Sequence, residues 1–191
     1  MTAHVVVALV ATATALTGCQ APPTTDQVGA SGVGAPSGSP LDPAPVPSSA
    51  NGPYPVARVV DGDTIWVIRD GQRVKVRLLG IDAPEISPGG RECFGDEALA
   101  RVRELLAGAS VFTAGDPSQA RVDRYGRELS YVWLKAGGRN GLLVNQVMLE
   151  QGFAREYTYD RAYAYQRSFR QAERRARAAK AGMWAAAGCA R

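Results

Sequence analysis

Residues 61–85 read DGDTIWVIRDGQRVKVRLLGIDAPE, and they constrain the chain more than any other stretch. Thr64 to Arg69 is a run of β-branched and aromatic residues. Asp70-Gly71 is a strong hairpin turn, and Arg73 to Leu78 alternates charged with apolar side chains. Asp61 and Asp63 precede the outgoing strand, and Asp82 and Glu85 follow the returning one. Pairing the strands across the turn therefore brings both acidic pairs to one end of a sheet, with Arg77 between them. Carboxylates gathered at one edge repel each other unless positive charge sits among them. The stretch has no His or Cys, so a metal there would meet only hard oxygen donors, which selects Ca²⁺ or Mg²⁺ over zinc. Taken singly, Asp-Gly-Asp-Thr is a good turn and Asp-Ala-Pro-Glu a good strand exit. Their joint occurrence around a paired arginine points to chemistry.

The chain has 191 residues, room for one domain, and its first 53 are expected to lie outside that domain. An apolar run from Val5 to Leu16 is too short to span a bilayer and ends in Leu16-Thr17-Gly18-Cys19. Residues 1–19 read as an export signal and resemble a bacterial lipobox, in which Cys19 would be lipidated and become the mature N-terminus. An ordinary signal segment is the alternative, since residues 1–4 carry no Lys or Arg. Residues 20–53 are Pro, Gly, Ser, Ala and Thr with almost no large apolar side chain. Such a composition cannot offset the entropy of ordering, so a disordered tether is expected ahead of a domain at 54–191. Behind a lipidated Cys19 it would hold that domain clear of a membrane. All 22 Lys and Arg residues follow Pro53, whereas Asp26 and Asp42, of 18 acidic residues, precede it. The domain is therefore basic, which suits a polyanion: nucleic acid first, an acidic membrane second.

Within the domain, residues 56–60 are predicted as a strand ahead of the hairpin. Residues 94–107 have helical spacing, with Ala98, Val102, Leu105 and Leu106 as the apolar stripe and Asp96 and Glu97 in the first turn. Residues 110–114 and 128–134 are β-prone, and 141–151 read as a second helix closed by Gly152. A third helix is expected after Asp160 as cap, with Ala162, Tyr165, Phe169, Ala172, Ala176 and Ala179 on one face and Gly182 at its end. The other face carries Arg167, Arg170, Arg174, Arg175 and Arg177 and reads as solvated. Five strands and three helices give an α+β domain, and a five-stranded barrel of the oligonucleotide-binding type accommodates this order. Between the last two strands, Arg121-Val122-Asp123-Arg124-Tyr125-Gly126-Arg127 combines cations with one aromatic ring, which suits a phosphate and its base.

At this point the chain resembles the staphylococcal nuclease (thermonuclease) family. The likeness rests on Val60-Asp61-Gly62-Asp63-Thr64, on the run from Arg77 to Glu85, and on Asp123-Arg124-Tyr125-Gly126-Arg127. It continues through Val144-Asn145 and Gln151-Gly152-Phe153-Ala154 to Gly182-Met183-Trp184. The resemblance implies a Ca²⁺-dependent phosphodiesterase acting on DNA and RNA and leaving 3′-phosphates. By position it makes Asp63 and Asp82 the carboxylate ligands and the main-chain carbonyl of Ala83 a third, with Asp61 behind them. The well-studied members carry Thr where this chain has Ala83. Glu85 takes the general-base position, and Arg77 and Arg127 the phosphate. Arg124, Tyr125, Tyr157 and Tyr159 fall where the family binds the nucleotide. The chemistry agrees, since in-line attack on a phosphodiester needs a positioned water, a base and neutralisation of charge on the phosphoryl oxygens.

A non-catalytic nucleic-acid-binding barrel is the alternative reading, and retention of Asp63, Asp82, Glu85, Arg77 and Arg127 argues against it. An envelope-binding lipoprotein would explain the leader but not those five residues. A monomer is expected. With Cys19 assigned to lipidation, Cys93 and Cys189 remain, an even number in an exported chain, and a disulfide between them is predicted.

Overall fold

The computed structural model describes residues 43–87, 90–137, 139–185 and 189. The leader with Cys19, and the tether up to residue 42, lie outside the described residues.

The hairpin forms as its sequence dictates. Strand β2 (Thr64–Arg69) pairs antiparallel with β3 (Gln72–Leu78) from Thr64↔Arg77 to Arg69↔Gln72. Between them Asp70 and Gly71 adopt φ of 50° and 75°, the two positive values a tight hairpin turn requires. Strand β1 (Asn51–Val59) pairs with β2 on one side and with β4 (Ser110–Ala114) on the other. Strand β5 (Glu128–Gly137) runs antiparallel to β4 and parallel to β3, with Val76↔Glu128 and Leu78↔Ser130 in register. The five strands thus close into a ring, β1-β2-β3-β5-β4 and back to β1. Closure leaves none of the five with an open edge and gives the oligonucleotide-binding type of α+β fold.

Inward-facing Ile65, Val67, Val76, Leu78, Val111 and Val132 are fully buried and fill the ring. Helix α1 (Gly95–Leu106) adds Ala98, Val102 and Leu106 to this core, as its stripe predicts; Leu99 joins them, and Leu105 is only partly buried. Helix α2 (Val144–Glu150) contributes Val144, Met148 and Leu149, and α3 (Gln166–Ala178) contributes Phe169 and Ala172. Asn145 on α2 is fully buried. Its amide oxygen accepts from Val132 N at 2.9 Å, and its nitrogen donates to Leu79 O at 2.9 Å. One side chain thereby ties the exit of β3 to β5.

Four boundaries differ from expectation, each because pairing or packing outweighs local composition. Ordered structure begins before residue 54: Ala44–Pro45 pairs with Asn140 and Gly141, and β1 starts at Asn51. Composition there forbids a core but not a backbone ladder. The first half of the expected 141–151 helix is a strand, Asn140–Leu143, zipped to β5, and helix starts only at Val144. Asp160 caps nothing: α3 begins at Gln166, six residues later, with Tyr165 as its cap. At its far end Lys180 takes a positive φ of 52°, and Gly182 instead packs against the backbone of Gly152, where a Cβ would lie 2.3 Å from Gly152 O.

Candidate active site

The site grows from the register of the hairpin. Pairing Thr64 with Arg77 sets Asp63 at the mouth of the ring, where Leu78 N donates to Asp63 O at 2.8 Å. The Asp61 carboxylate accepts from Asp63 N at 3.0 Å and shapes the turn. Gly62 lets that turn press against its neighbours, since a Cβ there would lie 2.5 Å from the Cβ of Ala83 and 3.0 Å from that of Ala98. The Asp63 side chain is buried, 3% exposed. Its Oδ2 accepts from Ala83 N at 2.9 Å and its Oδ1 from the Thr64 hydroxyl at 3.0 Å. The strand Ile81–Asp82 is held opposite by Arg155–Glu156, with Asp82 and Arg155 in register.

Arg77 bridges these elements. Its guanidinium contacts Asp63 Oδ2 at 2.7 Å and Asp82 Oδ1 at 2.9 Å, and donates to Ile81 O at 2.8 Å. The positive charge among the carboxylates is therefore an arginine, placed by the strand that also delivers the acids. Burial pushes the Asp63 carboxyl up from its usual range. The Arg77 guanidinium opposes that shift, nearby Asp61 adds to it, and the Ala83 amide opposes it. Glu85 is exposed, and partial burial together with the charge of Asp61 raises its carboxyl despite Arg77.

Arg127 enters from the loop before β5. Asp123 organises that loop, accepting from Tyr125 N and Arg127 N at 2.9 Å and from Arg127 Nε at 2.7 Å. The Asp123 carboxyl is burdened by burial, but these donors outweigh it and hold the group below the usual carboxylate range. Arg127 Nη1 also reaches the Thr64 hydroxyl at 3.4 Å. A continuous polar chain results: Arg127, Thr64, Asp63, Arg77, Asp82. Neither the bridging role of Thr64 nor the anchoring role of Asp123 was read from sequence. The available signal was the turn chemistry of Asp123-Arg124-Tyr125-Gly126-Arg127, in which a leading Asp can accept from the main-chain N–H groups that follow it.

Arg77, Asp82, Glu85, Arg124, Tyr125, Arg127, Tyr157 and Tyr159 line one cleft of about 730 Å³. Tyr125 is 66% exposed, with Arg124 and Arg127 over its ring at 4.8 and 5.4 Å. Tyr157 and Tyr159 are exposed too, with ring centroids 6.3 Å apart. Exposed aromatic rings beside guanidinium groups are a combination that can stack a base and hold a phosphate. Asp61, Asp63 and Ala83 are not among the residues that line the cleft. Among the described residues no three carboxylate, His or Cys side chains converge tightly enough to enclose a metal on their own. The donor chemistry still fits a hard cation, because Asp63 and Asp82 already converge on one positive group and the Ala83 main chain lies against Asp63. The arginines of α3 lie away from this set. Arg170, Arg175 and Arg177 are paired with Glu156, Glu150 and Glu173, in keeping with a solvated face. Cys93 and Cys189 have Cα atoms 5.2 Å apart and are joined by a disulfide.

Comparison with known proteins agrees with this geometry. Residues 75–186 match the family model described as Staphylococcal nuclease homologue. A thermonuclease of Staphylococcus hyicus is 36% identical over 133 residues, covering 69% of this chain and 75% of the relative. A micrococcal nuclease of Shigella flexneri is 34% identical over 149 residues, covering 73% and 77%. Endonuclease YncB of Bacillus subtilis (strain 168) is 34% identical over 134 residues, covering 69% and 61%. With this match and these relatives, the chain belongs to the staphylococcal nuclease homologue family.

Proposed function

We propose that this nuclease is a Ca²⁺-dependent phosphodiesterase that hydrolyses both DNA and RNA, with Glu85 as general base and Arg77 and Arg127 gripping the scissile phosphate. The observation that carries the reading is the shared cleft. It presents the guanidinium groups of Arg77 and Arg127 and the Glu85 carboxylate beside exposed tyrosines. Asp63, Asp82 and the Ala83 carbonyl would hold the cation, which when bound would neutralise phosphate charge and order the attacking water.

Each remaining role belongs to a side chain of the cleft. Arg124, Tyr125, Tyr157 and Tyr159 bind the nucleotide by stacking and charge, contacts that do not depend on the 2′-hydroxyl and so admit both sugars. Arg77 and Arg127 each offer two prongs to the phosphoryl oxygens and stay charged throughout. Both are oriented before substrate arrives, Arg77 by Asp63 and Asp82 and Arg127 by Asp123. Charge developing in the transition state therefore meets fixed donors. Glu85, free at its tip, takes a proton from the attacking water. Arg127 stabilises the departing 5′-oxygen by hydrogen bonding, and that oxygen takes its proton from solvent, leaving a 3′-phosphate and a 5′-hydroxyl. Export and anchoring through Cys19 complete the reading and rest on the leader and its lipobox-like end; action as a monomer is proposed with them.

The test is incubation of purified protein with DNA and with RNA, with and without a Ca²⁺ chelator. Cleavage of both that stops in chelator and returns with Ca²⁺ is expected, with Mg²⁺ a poor substitute because it demands stricter octahedral geometry. Robust turnover in chelator refutes the metal requirement. Glu85→Gln should abolish most turnover with nucleic-acid affinity kept, and a rate within a few-fold of the parent removes Glu85 as the base.

A further inference from the structure

Glu85 does its work at the tip of an exposed loop, and something must hold it still. The strands that follow it, Ile86–Ser87 and Gly90–Arg91, are two residues each and do not hold a shape alone. The support comes from the segment that follows. Glu92 N donates to Glu85 O at 2.8 Å, and Glu85 N donates back to Glu92 Oε2 at 3.0 Å. Glu92 thus satisfies both main-chain groups of the proposed base. Three residues later Gly95 opens α1 so close to the same loop that a Cβ there would lie 2.9 Å from Glu85 O and 2.7 Å from Ile86 Cγ2. Arg91 is ion-paired to Asp96 in the first turn of α1.

Glu92 is exposed, so water competes for its hydrogen bonds. The adjacent Cys93 supplies a brace that water cannot compete for, its disulfide to Cys189. Cys189 is secured in turn on the opposite side of the site: Arg155 Nη2 donates to Cys189 O at 2.8 Å, and Arg155 is the register partner of Asp82. Cys189 is therefore a junction between the loop that carries Glu85 and the strand that carries Asp82, residues 96 positions or more from it in sequence.

We propose that Glu92 is a positioning residue for Glu85, and that the Cys93–Cys189 disulfide locks this clamp, so that full turnover requires the oxidised protein. The inference rests on Glu85 being the base. It assigns Glu92 and the disulfide no contact with substrate; their effect is confined to where the Glu85 carboxylate sits. Misplacement of a reacting group by about 1 Å costs on the order of a hundredfold in rate.

The experiment compares kcat and KM on single-stranded DNA with saturating Ca²⁺ for parent, Glu85→Gln, Glu92→Ala, Glu92→Gln, Gly95→Ala and the Cys93→Ser/Cys189→Ser pair, at a temperature where circular dichroism shows each folded. The parent is also assayed after reduction with a phosphine and after reoxidation. Glu92→Ala and Gly95→Ala should lower kcat about ten- to a hundredfold with KM within twofold. Glu92→Gln, whose amide oxygen still accepts from Glu85 N, should recover most of that loss. Reduction should lower kcat to the level of the double serine variant, which itself ignores reductant, and reoxidation should restore it. If Glu85→Gln is inactive while Glu92→Ala and the reduced parent keep kcat within twofold, the clamp is refuted and the base assignment stands. If Glu85→Gln itself retains turnover, the assignment fails and takes the clamp with it. A loss of kcat in which KM rises equally, or which Glu92→Gln does not relieve, marks a structural role and also overturns the proposal.

Discussion

Asp116→Asn should destabilise the protein by an amount that depends on pH in a way only this carboxylate explains. Asp116 lies just past β4 and is buried. Its Oδ1 accepts from Ser118 N at 2.8 Å and from the Ser118 hydroxyl at 2.7 Å. Its Oδ2 accepts from the Tyr131 hydroxyl at 2.6 Å and from Ala164 N at 2.8 Å. An asparagine turns one of those oxygens into a donor, so whichever way the amide faces, one part-buried main-chain N–H, of Ser118 or of Ala164, loses its acceptor. With the hydroxyl on the same side also seeking a new partner, and water reaching part of the gap, about 1–3 kcal/mol is expected at neutral pH. Burial alone would raise the Asp116 carboxyl, but the donors from Ala164, Tyr131 and Ser118 outweigh it and leave it lowered. A carboxylate depressed in the folded state contributes stability that is fully present above its unfolded value, near 3.9. That contribution fades as pH falls through the folded value, because the unfolded chain then binds the proton more readily. The assay is urea unfolding of both proteins by tryptophan fluorescence at pH 7, 5, 4 and 3. The gap between parent and variant should be constant from pH 7 to 5 and narrow below about 4. A gap as wide at pH 3 as at pH 7, or one under about 1 kcal/mol throughout, refutes the reasoning.

Gly62→Ala should cost about 1–3 kcal/mol by overpacking, since its Cβ meets the backbone-fixed Cβ atoms of Ala83 and Ala98. Cleavage should fall further than stability, because the clash parts Asp63 from Ala83; thermal melts and rates on one sample check this. Tyr125→Ala, at a side chain 66% exposed, should leave unfolding within about 0.5 kcal/mol of the parent. It should raise KM for single strands by the loss of about 1–3 kcal/mol of stacking, read from initial rates. Arg127→Lys should lower kcat on the order of a hundredfold, since an ammonium cannot reproduce the fork, while the melting temperature stays close to the parent's.

Much of the site was legible because it is encoded locally. The Asp70-Gly71 turn permits one hairpin register, and that register by itself seats Thr64 opposite Arg77 and Asp63 across from Leu78 at one end of the sheet. Alternation along β3 then sends Val74, Val76 and Leu78 inward and leaves Arg77 facing the site. The apolar stripe of α1 was likewise readable, since helical period and burial coincide at Ala98, Val102 and Leu106. What the sequence left undecided depends on partners far along the chain. Residues 140–143 are strand because β5 offers a ladder, and Ala44–Pro45 joins the same sheet although nothing in its composition asks for order. Asp160 has the chemistry of a helix cap, yet the chain turns helical only where Phe169 and Ala172 can be buried. Thr64 links Arg127 to Asp63 across 63 residues, and Glu92 meets Glu85 only because a hairpin folds back. Composition and period determine which residues can turn, pair or bury, through forces that act within a few residues. Which carboxylate meets which guanidinium depends on ring closure, because it alone brings together strands distant in sequence at fixed register.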